Sequence, residues 1–99
     1  MLDFYLIHDN QNQSSRGLVL KPVGGIEDNL FFQLQTEGII EPWFDYYSKF
    51  RWGNELVGRM LQKLRLETYA AGLTKERIAF MQVLQQAIDA GCGLMAVGD

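Results

Sequence analysis

The chain has one cysteine, Cys92, and one histidine, His8, in 99 residues. A lone thiol excludes an intramolecular disulfide and a cysteine-based zinc site, and it suits a reducing compartment. With one imidazole, any metal would rest on carboxylates, and no acids stand at EF-hand or HExxH spacing. Neither GxxxxGK[ST] nor GxGxxG occurs, so no phosphate loop is written in the chain. No metal and no cofactor is expected. Apolar runs are short as well, and none approaches the roughly 18–20 residues of a membrane span. Asp3 stands where a secretory signal carries Lys or Arg, and the first apolar run stops at His8. The expected location is cytoplasmic, with no membrane partner. A cationic excess is also missing. Nine bases face twelve acids, for a net charge of −3 and a pI near 5.0. This weighs against a general nucleic-acid binder, which gains its affinity by releasing counterions from a basic footprint.

What is present is an ordinary globular composition, 47% hydrophobic and 21% charged, which fits one small domain over residues 1–99. At this length about 60–65% of the unfolded surface can be buried. Charge is unevenly placed. Up to Ser48, Asp3, Asp9, Glu27, Asp28, Glu37, Glu41 and Asp45 face only Arg16 and Lys21. From Lys49 onward bases outnumber acids. Two halves of one domain can attract each other in this way, or a basic face can serve an acidic partner.

Half of the aromatic residues lie between Pro42 and Trp52: Trp43, Phe44, Tyr46, Tyr47, Phe50 and Trp52. The rest of the chain supplies surfaces for these rings. Leu2–Ile7 reads as a strand apolar on both faces, followed by a polar loop over 8–16. Leu18-Val19-Leu20 is a brief strand, ended by Lys21-Pro22 because proline cannot donate to a ladder, and Gly24-Gly25 makes a turn. A first helix spans about 27–37, with Leu30, Phe31 and Leu34 on its inner face and Phe32 to the side. Gly38 closes it in a left-handed conformation, and Ile39-Ile40 fold back on the last turn. Trp43–Lys49 is expected to be irregular or briefly helical.

A second helix covers about 55–71. Leu56, Val57, Met60, Leu61 and Leu64 form one broad apolar stripe on it. Gly58 lies off that stripe at a helix-interior position where glycine costs about 1 kcal/mol against alanine, which suggests a close neighbour at its backbone. Thr74 is a suitable N-cap for a third helix over about 75–90, with Leu73 and Ile78 at hydrophobic-staple spacing. That helix has a narrow polar strip, so it is either sandwiched or meets a second chain as a homodimer. Leu94–Val97 is a short strand expected to pair with Leu2–Ile7. The fold class is α+β, predominantly helical, with three main helices and a small sheet from the N-terminal and C-terminal strands.

Little in the chain suggests catalysis. His8 and Asp9 point to opposite sides of a strand, Ser14 and Ser15 have no nucleophile-elbow context, and Cys92 reads as a small apolar filler. Trp, Tyr and Arg dominate binding hot spots, so Trp43, Tyr46, Tyr47, Arg51, Trp52 and, at the strand end, His8 are the candidate binding residues. Phe44, Phe50 and Trp52 are expected inside, with some of Tyr46, Tyr47 and Arg51 at a rim. Three functions follow. The first is a non-catalytic protein-interaction domain with a protein partner or a second copy. The second is a small-ligand or minor enzymatic domain in which Arg51 holds a small anion beside His8. The third, disfavoured by charge, is a single-strand nucleic-acid binder using Lys49, Arg51, Arg59 and Lys63.

Overall fold

A computed structural model of the chain describes residues 1–8, 21–71 and 74–98, the side chains of 67–71 excepted. Among the described residues, four strands and three helices follow one another as β1 (Leu2–Ile7), β2 (Lys21–Ile26), α1 (Asp28–Thr36), β3 (Lys49–Trp52), α2 (Asn54–Ala71), α3 (Lys75–Asp89) and β4 (Gly93–Val97). The strands form one antiparallel sheet in the order β2-β1-β4-β3. Phe4, Ala96 and Phe50 stand side by side across it, as do Leu6, Leu94 and Trp52. These residues join the single large core with the inner faces of all three helices. Among the described residues, no helix is long and apolar enough to cross a membrane.

The α+β class, the three helices and the β1–β4 pairing are as expected. The sheet is larger than the sequence suggested, so "predominantly helical" has to be withdrawn. Two strands were missed. β2 contains Pro22, a residue expected to end a strand. It is tolerated because, among the described residues, β2 is an edge strand paired with β1 alone. Phe4 faces Gly24 and Tyr5 faces Pro22, which leaves Val23 bulged between them and relaxes the ladder at the proline. Gly24-Gly25 is thus strand rather than turn. Gly24 has φ 146°, and a Cβ there would meet Val83 Cγ2 at 2.8 Å. The glycine lets α3 press onto the edge of the sheet. β3 was hidden inside the aromatic run. Its four residues alternate, with Phe50 and Trp52 toward the core and Lys49 and Arg51 away, which is the period of a strand. The expected strand at Leu18–Leu20 and the staple residue Leu73 lie outside the described residues.

Both glycine-closed helix ends have the same geometry. At the end of α1, Gly38 has φ 79°. Ile39 N–H donates to Leu34 O at 2.9 Å and Gly38 N–H to Gln35 O at 3.1 Å, the paired bonds of a Schellman motif. At the end of α3, Gly91 has φ 67°, and Cys92 N–H donates to Ala87 O at 2.8 Å. The start of α3 is capped as expected, Arg77 N–H donating to Thr74 Oγ1 at 3.2 Å.

One buried polar residue was not anticipated. Arg77 is 1% exposed, and its guanidinium donates to Glu37 Oε1 at 2.5 Å and to Oε2 at 3.3 Å. The pair fastens the end of α1 to the start of α3. The aromatic segment is tied to α1 by Gln35, whose amide donates to the carbonyls of Glu41 at 3.1 Å and Phe44 at 2.8 Å. Next comes a turn in which the Asp45 carboxylate accepts from Tyr47 N–H at 2.9 Å and Ser48 O–H at 3.2 Å.

Candidate functional site

The aromatic run divides into a core half and a surface half. Trp52 is fully buried against Phe4, Phe44, Phe50 and Phe80. Tyr46 is 4% exposed, and its hydroxyl donates to Ile26 O at 3.4 Å. Phe44 and Phe50 are half-buried against the core. Trp43 and Tyr47, in contrast, are 72% and 61% exposed. Trp43 has Phe44 beneath it, at 6.2 Å between ring centres. Tyr47 meets Tyr46 edge-on at 5.0 Å, and Phe32 of α1 meets the same Tyr46 at 5.9 Å. Phe32 is 46% exposed. So of the six candidate binding residues, Trp43 and Tyr47 stand in solvent, while Tyr46 and Trp52 are structural. Phe32 was missed as a site residue, although its place beside the inner face of α1 was the signal. The stretch of chain that carries these rings is acidic as far as Ser48. No Lys or Arg occurs between Lys21 and Lys49, whereas Asp28, Glu41 and Asp45 do.

The other two candidates, His8 and Arg51, come together at the far end of the sheet. Ile7 pairs with Gly93. One step further along these antiparallel strands sets His8 beside Cys92. The sulfur lies 3.5 Å from His8 Nδ1 and 3.9 Å from Nε2. Arg51 Nη2 donates to the His8 carbonyl, and the Asn54 amide donates to Cys92 O at 2.8 Å. Cys92 is itself 4% exposed. This cysteine was read as filler. The signal that could have revealed it was the β1–β4 pairing, since an antiparallel register brings the two residues together across 84 positions of chain. Two donors do not make a metal site. Among the described residues, no group of three His, Cys, Asp or Glu side chains could hold one.

No family model, curated protein or solved structure matches the chain. Its function is therefore read from its own surfaces.

A third surface feature lies on the helical hairpin. Gly58, Leu61 and Arg65 of α2 and Ile78, Met81, Gln85 and Ile88 of α3 line two adjoining grooves of about 290 and 270 Å³. Among the described lining residues, Arg65 is the one that is charged. It donates to Gln85 Oε1 at 2.6 Å, and Gln85 donates to Asp89 Oδ1 at 2.8 Å.

Proposed function

We propose that the protein is a non-catalytic interaction domain that binds a protein partner through Phe32, Trp43 and Tyr47. The observation that carries this reading is the exposure of Trp43 and Tyr47, at 72% and 61%, in a segment whose other rings are packed into the core. An aromatic side chain buries roughly 150–250 Å² when covered, so leaving it in water forgoes a large apolar gain. Trp and Tyr are also the residue types that anchor interfaces. The short links to α1 and the Asp45 turn hold the backbone of this segment, so little ordering entropy is lost when a partner arrives.

The test is photo-crosslinking in cells, with a benzophenone amino acid placed at position 43 or 47. A discrete covalent adduct that is absent when the probe sits at exposed Glu76 is the expected result. Recovery of the uncrosslinked chain alone would end the proposal.

A second function is favoured by a separate observation, the convergence of His8, Arg51 and Cys92. Here a small anionic ligand would bind at Arg51, with the thiol–imidazole pair adjacent. A thermal-shift screen over small anions checks it. Stabilisation lost in Arg51→Ala would support it, and no hit in the screen would retire it. Nucleic-acid binding has less support. Lys49 and Arg51 alternate with Phe50 and Trp52 onto the face away from those rings, and Arg59 is paired with Glu55 at 2.6 Å.

A further inference from the structure

We propose that the partner of the aromatic surface is a second copy of this chain, and that Trp43 of one copy docks in the α2–α3 groove of the next. The proposal rests on the interaction reading above and names its occupant by charge. The donor surface is apolar and acidic, with Trp43, Tyr47 and Phe32 flanked by Glu41, Asp45 and Asp28, in a stretch of chain that has no base between Lys21 and Lys49.

The groove is apolar too, but the charge in its described lining is a base. Its walls are Leu61, Ile78, Met81 and the stems of Gln82 and Gln85, with Arg65 the one charge among the described lining residues and Asp89 held at its edge by Gln85. Lys75 precedes Ile78 by three positions in α3, so it stands on the same side of that helix. Opposite potentials on two docking surfaces guide their encounter and set their orientation. Acidic rings repel acidic rings, which disfavours pairing the aromatic surfaces with each other.

Both surfaces are open in the same molecule, since Trp43 is 72% and Ile78 41% exposed. A copy that has docked its rings therefore keeps its groove free. Such a contact closes as a two-fold dimer when each copy fills the other's groove, and grows into rings or open chains when the copies dock head-to-tail.

The experiment is sedimentation velocity on the full chain over a range of protein and salt concentrations. The wild-type protein is expected to associate as concentration rises, into a reciprocal dimer or larger species, and to dissociate as salt is raised. Trp43→Ala, which keeps the groove, and Ile78→Glu, which keeps the rings, are each expected to stay monomeric, with the contact weakened roughly thirty-fold or more. Mixing the two variants restores one good contact and must give a one-to-one dimer that grows no further. If Ile78→Glu proves misfolded by circular dichroism, Arg65→Glu tests the same groove.

A wild type that stays monomeric throughout overturns the proposal, and so does a dimer that survives both variants. So does a mixture of folded variants that fails to pair. The crosslinking experiment separates these failures from failure of the interaction reading. An adduct with a different protein leaves a binding surface without self-association, whereas no adduct removes both.

Discussion

The buried Arg77–Glu37 pair yields the sharpest stability prediction, because its two halves are unequally hidden. The Arg77 side chain is 2% exposed and that of Glu37 19%. Arg77 Nε is buried with no acceptor among the described residues, where Glu37 is the guanidinium's one carboxylate. Glu37→Gln removes that charge and leaves a cation in the core. Losing one partner of a buried pair costs about 3–5 kcal/mol. Because Glu37 is partly wet, solvent lowers the cost to just under that range, at about 2–3 kcal/mol. For a domain of this size, that lowers Tm by roughly 10–20 °C. Arg77→Met should behave differently. The methionine keeps much of the apolar stem, removes the unsatisfied Nε, and leaves a carboxylate that can turn to water. Its cost should stay within about 1 kcal/mol of wild type. Urea denaturation of both variants is the assay, repeated at high salt, where a buried pair is little screened. If Glu37→Gln costs less than Arg77→Met, the pair is not the buried fastening described here.

Other substitutions test the packing. Gly58→Ala should raise stability by about 1 kcal/mol through helix propensity, since the new Cβ would lie 3.5 Å from Ile88 Cδ1, an ordinary contact; an unchanged urea midpoint would contradict this. Gly98→Ala should destabilise by about 2 kcal/mol, because its Cβ would come within 2.8 Å of Tyr47 C and 2.9 Å of Tyr47 Cα, backbone atoms held by the Asp45 turn. Trp52→Ala should cost about 3–5 kcal/mol, whereas Trp43→Ala should stay within about 0.5 kcal/mol. The intrinsic fluorescence of Trp43→Phe should accordingly be the blue-shifted emission of a buried indole, and red-shifted emission would place Trp52 in water.

The sequence by itself determined the helices, their glycine and threonine boundaries, and the pairing of the first and last strands. The helices and their ends depend on local chemistry (apolar spacing, a cap hydroxyl, a residue free to adopt positive φ), whereas the long-range strand pairing was legible because neither strand has another obvious partner in the sequence. It also marked the segment in which the exposed rings lie. Which of those rings face water was decided only by tertiary structure. Burial depends on what the rest of the chain brings to each side, and Trp43 and Trp52 are the same residue type within one short stretch. The two missed strands were likewise decided globally. Four alternating residues in β3, and a proline-bearing β2, become strands only when β4 and β1 offer their edges. The meeting of His8 with Cys92 follows from the register of β1 and β4, whereas the burial of Arg77 against Glu37 is a contact between distant parts of the chain that no local pattern encodes.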